Sequence, residues 1–282
     1  MRLVFVHGMR QEGLDPEILK AVWTRALTDK WSELGLAPLP LSPEMPFYGD
    51  VLDQLTTQTG DLVGVRLRGG EGTSEEQGKI LREMASRFGI DEAHVREEVG
   101  AEIVARGPLN WEYSQALIRL LDKRLPAFGR YGLKFVVQVD AYLRRPHITG
   151  AVDKIVQPYL EGEPYVIVAH SLGSVVAYRL LANLAGPPVP LFITLGSPLA
   201  FGVVKENIVP PKLSKPNQVE SWINATDDRD YVATYASLDS KTFCEGIENW
   251  TDIRNRNEDP HHIGDYLSNE NVARAIHAAL RR

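Results

Sequence analysis

The chain has 282 residues, enough for one large α/β domain or two small ones with a substantial core. Its formal net charge of −6 disfavours a nucleic-acid partner, because phosphate backbones attract basic proteins. The single cysteine, Cys244, excludes an internal disulfide, and no apolar run approaches the roughly 18 residues of a membrane span, so we expect a cytoplasmic protein without an integral membrane segment.

The N-terminal segment predicts a strand, a glycine loop and a helix, in that order. Residues 2–6, RLVFV, form a compact apolar strand that ends at His7-Gly8. Asp15 is a predicted N-cap, with Pro16 at the first helical position. Apolar residues then recur on one wide helical face: Ile18, Leu19, Val22, Trp23, Ala26, Leu27, Trp31 and Leu34.

The next stretch carries no cluster of chemically reactive residues. Residues 37–50 are proline-rich and predict either a neighbouring strand or a binding loop. From about residue 70 to 130 the sequence is charged and helical. Three helices are expected there: one that begins near Ser74 and runs to about Phe88, one over 92–105, and one between Asn110 and Pro126. This helical insertion is interpreted either as a cap over a site or as a purely structural addition. Residues 133–143 are ambiguous between strand and helix.

Residues 163–184, EPYVIVAHSLGSVVAYRLLANL, predict a buried strand, a sharp turn and a helix. The turn is Ala169-His170-Ser171-Leu172-Gly173, with small residues two positions before and after the serine. These small residues let strand and helix pass closely, which would hold the Ser171 hydroxyl clear of the backbone. The helix dipole and the Leu172 amide would favour an oxyanion beside it. Alternatively, Ser171 simply caps an ordinary helix.

Two further strands are predicted after this turn. Residues 190–195 form one, which ends in a Gly-Ser-Pro turn. Its Ser197 is interpreted as a turn residue, because no tight strand-to-helix turn follows it. Residues 219–224 form the other strand, and the loop after it contains Asp227 and Asp230. Either carboxylate could orient a histidine, although Asp227 could instead make a turn with its own backbone.

The last loop, residues 257–268, places His261 and His262 beside Asp259, just before a terminal helix. Adjacent histidines suggest a metal site, but further histidine or cysteine ligands at a known spacing are not evident, so no metal is predicted. Neighbouring side chains in an extended loop point to opposite sides. Only one of the two histidines can therefore face Ser171.

These motifs resemble the α/β-hydrolase superfamily. The serine turn is similar to the nucleophile elbow G-x-S-x-G, with Ala169 in the first glycine position, and Ser…Asp…His is the order found in that superfamily. The resemblance is closest to lipase-like serine esterases and covers about residues 1–50 and 133–282. It implies an α/β-hydrolase fold over a single domain, 1–282, with a mostly parallel sheet flanked by helices. The helical insertion, about 70–130, would be a cap that precedes the elbow.

The resemblance also implies the site and the reaction. Ser171 would be the nucleophile, Asp230 the acid and His261 the base, with the amides of Met9 and Leu172 as oxyanion donors. Asp230 matches an Asp-x-Val pattern of the family, and His261 follows a proline and precedes a Tyr-Leu pair. The expected substrate is a small-molecule acyl ester or a lipid, and no cofactor is implied.

Several alternatives stay open at this point. Asp227 is the second candidate for the acid, and His262 is the second candidate for the base. An acyltransferase or a thioesterase would use the same three residues. A non-catalytic binding protein would keep the fold and lose the chemistry.

Overall fold

The described residues build one parallel sheet. The computed structural model describes residues 1–58, 75–106, 111–125, 128–208, 212–233 and 237–282. These ranges contain five strands: β1 (Arg2–Val6), β2 (Tyr165–His170), β3 (Val189–Leu195), β4 (Val219–Ala225) and β5 (Glu248–Trp250). The strands lie side by side in sequence order, and every neighbouring pair is parallel. The loops after the strands therefore meet along one edge of the sheet.

Helices lie in the connections from β1 to β4 and after β5. Between β1 and β2 lie α1 (Pro16–Glu33), α2 (Gly49–Gln58), α3 (Glu75–Arg87), α4 (Glu92–Val99), α5 (Ala101–Arg106), α6 (Trp111–Arg124), α7 (Phe128–Arg144), α8 (Pro146–Val156) and a short 3-10 helix, Gln157–Leu160. Then follow α9 (Leu172–Asn183) after β2, α10 (Gly202–Asn207) after β3, and α11 (Ile263–Leu267) with α12 (Glu270–Leu280) after β5. Within the described ranges, no helix is both long and apolar enough to cross a membrane.

Alternation along the strands divides the core into two layers. Val4 and Val6 of β1 pack on one face of the sheet, with α9 and the insertion helices, whereas Leu3 and Phe5 pack on the other face, with α1 and α12. Successive side chains of a strand point to opposite faces, and a sheet covered on both faces needs apolar residues at nearly every position. The predicted α/β class, with a parallel sheet flanked by helices, is confirmed.

The structure defines the secondary structure of two stretches for which the sequence leaves alternatives open. Residues 133–143 lie inside α7, where Phe135, Val136 and Val137 are all buried. A continuous buried run is common to strands and helices, which explains the ambiguity. Residues 37–43 are irregular, and a parallel bridge then joins Glu44 to Val4 on β1.

Two details of the predicted helices are wrong. The helix expected over 92–105 is broken into α4 and α5 at Gly100, whose φ of 86° is incompatible with a continuous helix. The apolar face of α1 is narrower than expected, since Ile18 and Val22 are 66% and 56% exposed. Only one stripe of that helix meets the sheet. The buried residues of the stripe are Trp23, Leu27 and Trp31.

The predicted insertion is described in part. Residues 70–74, 107–110 and 126–127 of the range 70–130 lie outside the described residues. Its described portion is helical, as α3 to α6 and the start of α7. Buried residues of these helices belong to the same core layer as α9, so the insertion packs directly on the parallel-sheet part of the chain.

Helix α9 passes unusually close to the end of β1. A Cβ placed on Gly173 would lie 2.3 Å from the carbonyl oxygen of Val6 and 2.4 Å from that of His7. Real Cβ atoms do not approach backbone oxygens to such distances, so the crossing requires the absence of a side chain. Gly173 thus sets how closely the helix can pack against the strand.

We expect Gly173→Ala to destabilise the protein by about 1–3 kcal/mol or more, as overpacked core sites do. Gly150→Ala is a matched control, because a methyl group on Gly150, in α8, would meet no neighbouring atom within 4 Å. Alanine there should be neutral or stabilise by about 0.5–1 kcal/mol. Urea denaturation of both variants measures the difference, and equal free energies of unfolding would contradict the packing argument.

Candidate active site

Ser171 occupies the turn between β2 and α9 with a strained backbone. Its φ is 56° and its ψ is −132°, a region that costs a residue other than glycine about 1–3 kcal/mol. The Ser171 amide donates to the Leu195 carbonyl oxygen on β3 at 3.0 Å, which ties the turn to the neighbouring strand. The residue stands at the N-cap position of α9, yet its side chain makes no capping hydrogen bond. The geometry therefore gives Ser171 no capping role.

The Ser171 hydroxyl is buried and has no hydrogen-bond partner among the described residues. The residue is 1% exposed, and its Oγ forms no hydrogen bond within the described part of the chain. An unpaired buried hydroxyl costs about 1–3 kcal/mol, so such a group in a native structure calls for an explanation. Backbone strain and an unpaired hydroxyl coincide at this one residue.

The loop after β1 lies directly against Ser171. A Cβ on Gly8 would be 2.6 Å from Ser171 Cβ and 3.1 Å from Ser171 Oγ. Only glycine can occupy this position, and Met9 follows it at 7% exposure. The structure therefore brings the predicted oxyanion loop and the predicted nucleophile together.

Hydrogen bonds fix the tautomer of His7, which is fully buried behind this loop. The Tyr48 amide donates to His7 Nε2 at 3.1 Å, so the proton of the neutral ring lies on Nδ1. Nδ1 then donates to the Gly8 carbonyl oxygen at 2.7 Å. The Tyr48 ring stacks on His7 with centroids 4.1 Å apart, and its hydroxyl donates to the His7 carbonyl oxygen. Burial lowers the pKa of His7 to about 4, which keeps the ring neutral.

This arrangement orients the peptide between Gly8 and Met9. In a planar trans peptide the carbonyl and the following N–H point in opposite directions. Because His7 holds the Gly8 carbonyl, it also determines where the Met9 N–H points. In the described ranges, neither the Met9 amide nor the Leu172 amide donates to a loop or turn carbonyl. Their role as oxyanion donors stays a prediction.

Asp230 and His261 form a hydrogen-bonded pair on adjacent loops. His261 Nδ1 lies 2.7 Å from Asp230 Oδ2, which leaves Nε2 of the ring free to accept a proton. The Tyr266 hydroxyl also donates to Oδ2, at 2.9 Å, and the Val232 amide donates to Oδ1, also at 2.9 Å. The carboxylate is 1% exposed and is held by these uncharged donors together with the Ala233 amide. Such donors hold a carboxylate in one orientation.

A glycine places this pair next to the serine turn. A Cβ on Gly196 would lie 2.7 Å from Asp230 Oδ2 and 2.9 Å from His261 Nδ1. Gly196 has a φ of 55° and directly follows Leu195, whose carbonyl accepts the Ser171 amide. One backbone segment after β3 thus touches both the serine turn and the acid–histidine pair.

The second candidate for the acid has a different set of partners. Asp227 is fully buried, and its carboxylate binds the Arg229 guanidinium at 2.6 Å and the Asn255 amide at 2.7 Å. Burial acts to raise the pKa of Asp227, but Arg229 and the Asn255 amide outweigh it and leave that pKa below its usual value. Asp227 therefore joins the loop after β4 to the loop that precedes His261.

The two histidines of the last loop differ in their exposure and in their neighbours. His261 has 11% of its side chain exposed, whereas His262 has 38% exposed and turns toward Asp265, with Nδ1 3.3 Å from Oδ1. His170, the residue before Ser171, stacks on the His261 ring at 4.4 Å and donates from Nε2 to the His261 carbonyl oxygen at 3.0 Å. Burial, and secondarily the nearby His261, hold the pKa of His170 well below its usual value.

Ser197 has a structural set of contacts. Its hydroxyl lies 2.7 Å from Ser174 Oγ, which itself donates to the Ser171 carbonyl oxygen at 2.6 Å. Ser197 Oγ also accepts from the Leu199 amide at 3.3 Å. The Ser197 hydroxyl is therefore occupied by structural hydrogen bonds, in agreement with its interpretation from the sequence as a turn residue. In the described ranges, no group of three or more His, Cys, Asp or Glu side chains is arranged to hold a metal ion.

Sequence reasoning misses three residues that support this site. Tyr266 enters it only as part of a Tyr-Leu pair, and Tyr48 only as part of a proline-rich segment. His170 enters it only as a residue of the serine turn. Each of these residues acts across a long sequence separation, which local periodicity does not encode. The only signal for Tyr266 is its short distance from His261 in the sequence.

Comparisons with known proteins add no assignment to these residues. No family model, curated protein or solved structure matches this chain. A functional proposal therefore rests on the residues and their geometry.

The buried, neutral His7 should make stability depend on pH. In the unfolded chain His7 takes up a proton below about pH 6.5, but in the folded chain only near pH 4. The unfolded state then binds more protons in this window, so the free energy of unfolding falls as the pH falls from 6.5 to 4. The total loss from this residue is at most about 3 kcal/mol, and His170 adds to it in the same direction.

Urea denaturation at pH 7 and at pH 5 measures this dependence. We expect His7→Asn to be less stable at pH 7 and to lose less stability on acidification than the wild type. His147→Asn, at an exposed position on α8, is the control and should keep the wild-type difference. A wild-type difference in His7→Asn would show that another group causes the pH dependence.

Proposed function

We propose that this chain is a serine hydrolase, similar to lipase-like α/β-hydrolases, that cleaves carboxylic esters through an acyl-enzyme intermediate. The observation that carries the proposal is a strained, buried and unpaired Ser171 beside the hydrogen-bonded pair of Asp230 and His261. A strained serine between a strand and a helix is the defining feature of a nucleophile elbow. An orienting carboxylate on the histidine is what a general base at serine requires.

In the proposed reaction, His261 Nε2 takes the proton of Ser171 as Oγ attacks the acyl carbonyl. Asp230 holds the ring in the tautomer that leaves Nε2 free and stabilises the imidazolium that forms. The histidine then protonates the leaving alcohol, and water releases the acyl group by the reverse sequence. No step of this scheme requires a cofactor.

The tetrahedral oxyanion would accept hydrogen bonds from the amides of Met9 and Leu172. Gly8 lies against Ser171, and the Met9 amide belongs to the residue that follows Gly8. This contact supports the proposal, because it brings the Met9 amide close to the proposed nucleophile. One donor of this kind is worth roughly 2.7–4 kcal/mol in comparable sites. His7 contributes by fixing the peptide to which the Met9 amide belongs.

The helical insertion would cover the site as a cap. Phe128, at the start of α7, packs edge-on against Tyr231 at 5.8 Å, and Tyr231 lies 6.1 Å from the His261 ring. This chain of rings links the insertion to the proposed base, which supports a role in forming the substrate pocket. A cap of this kind would also exclude water from the reacting groups.

We expect a fluorophosphonate probe to label Ser171 covalently. Ser171→Ala should abolish labelling and lower ester turnover by roughly 10⁴–10⁶-fold, as the loss of a nucleophile does in related triads. Ser197→Ala is the matched control and should still be labelled, because the Ser197 hydroxyl is bonded to Ser174 Oγ and to the Leu199 amide. Mass spectrometry of the labelled peptide identifies the site, and labelling that persists in Ser171→Ala would contradict the proposal.

The general base should be His261, not His262. We expect His261→Ala to lower turnover of 4-nitrophenyl acetate by at least roughly 10²–10⁴-fold. His262→Ala should keep most of the activity, since its ring turns toward Asp265. Turnover numbers of the two variants on this ester decide between the histidines, and an inactive His262→Ala beside an active His261→Ala would reverse the assignment.

A further inference from the structure

A cavity of about 580 Å³ lies between the helical insertion and the loops that carry Asp230 and His261. Tyr231 and Pro260 line it, and each of them is the immediate sequence neighbour of one member of this pair. The facing wall is formed where α3 and α6 end. The lining residues of that wall are Arg87, Phe88, Arg124 and Leu125.

Part of the cavity is suited to an apolar group. Phe88 and Leu125 on the insertion wall face a cavity that Tyr231 and Pro260 line from the other side. The Tyr231 ring also lies 6.1 Å from His261, so these apolar surfaces extend toward the acid–histidine pair. A volume of this size matches the usual range for a small-molecule site.

Two charged residues of the loop wall are already neutralised. The Arg229 guanidinium is paired with the buried Asp227 at 2.6 Å. Asp228 is paired with Arg254 at 2.7 Å. These pairs contribute little net charge to the cavity.

Three lining charges are not neutralised by direct contact with another described residue. Arg124 donates to the Phe88 carbonyl oxygen at 2.7 Å and approaches His94, but it forms no ion pair with a carboxylate within the described residues. Arg87 and Glu258 form neither an ion pair nor a hydrogen bond in that same part of the chain. The balance is two positive charges on the insertion wall and one negative charge on the loop wall.

Arginines at helix C-termini complement the helix dipole, which accounts for the position of both residues without any ligand. The dipole does not require both arginines to line one cavity beside the pair of Asp230 and His261. Each guanidinium carries five N–H donors, and Arg124 commits one of them to the Phe88 carbonyl, so donors suited to carboxylate or phosphate oxygens remain for an anion.

We propose that this cavity binds an anionic group carried on an apolar chain, and that the natural ester substrate bears such a group. The apolar lining would hold the chain, and Arg87 with Arg124 would hold the anion. The substrate part of this inference rests on the proposed hydrolase function, whereas binding of the anion does not.

Isothermal titration with octanoate and with the neutral isostere octanamide tests binding independently of catalysis. We expect the wild-type protein to bind octanoate more tightly than octanamide. Arg87→Gln should reduce this preference by up to about fivefold, the upper end of the range for losing an exposed charge pair. Arg82→Gln is the matched control, because Arg82 is an exposed arginine on α3 that lines a different groove. Equal binding of both ligands, or an equal loss in both variants, overturns the proposal.

Kinetics separate the substrate class from the binding site. We expect the ratio of kcat/KM for mono-4-nitrophenyl adipate to that for its neutral monoamide analogue to fall in Arg87→Gln and to stay at the wild-type value in Arg82→Gln. High salt should lower the wild-type ratio by screening. Cleavage of both esters with a ratio that Arg87→Gln leaves unchanged overturns the substrate inference and leaves the hydrolase standing. Octanoate binding that depends on Arg87, without cleavage of either ester, overturns the hydrolase and leaves the anion site standing.

Discussion

The contact between the loop after β1 and the serine turn sets the geometry of the whole site. Strands β1 and β2 pair in parallel with Val6 opposite Ala169, so their following loops emerge side by side. The absence of side chains at Gly8 and Gly173 then lets these loops touch. A methyl group at either position would push the predicted oxyanion loop away from Ser171. The distance between Ser171 and the predicted oxyanion loop therefore depends on steric packing, whereas the hydrogen bond from His7 to the Gly8 carbonyl orients the Met9 amide.

The residues around this contact differ in how fully hydrogen bonds hold them. Asp230, the proposed acid, is held on several sides, because the Asp227 amide donates to the Tyr266 hydroxyl at 3.0 Å and that hydroxyl donates to Asp230. Because the Tyr266 oxygen accepts from the Asp227 amide, the hydroxyl proton is directed to Asp230. Burial and the adjacent carboxylate raise the pKa of Tyr266 well above its usual value. Ser171 Oγ, by contrast, has no partner within the described residues. The free energy lost at the serine is thus offset by a well-satisfied network around it, as in sites where strain serves chemistry.

Strands β1 to β4 could be predicted from the sequence because each is a short apolar run that ends in turn residues, whereas β5 has only three residues and no apolar run. Ser171 could be proposed because it lies directly after a strand, whereas Asp230 and His261 follow from the resemblance to α/β-hydrolases and from the place of their loops in the chain. The choice between Asp227 and Asp230 could not be derived in this way, since it depends on Arg229 and Tyr266, whose positions follow from tertiary packing. Gly100 and the exposed Ile18 likewise depend on which helix face meets a neighbour.

Buried side chains hold the helical insertion to the rest of the chain, so the insertion cannot be removed without disturbing the core. Ile80, Met84 and Leu121 are at most 1% exposed and share one core layer with α9. Removing helices that bury such side chains costs about 1.5–3 kcal/mol for each of them, a large fraction of the stability of a typical domain. Deleting the insertion would therefore unfold the protein before it revealed any change in substrate preference. Single substitutions on its cavity wall, such as Arg87→Gln, change the charge of the pocket while the buried contacts of the helices stay intact.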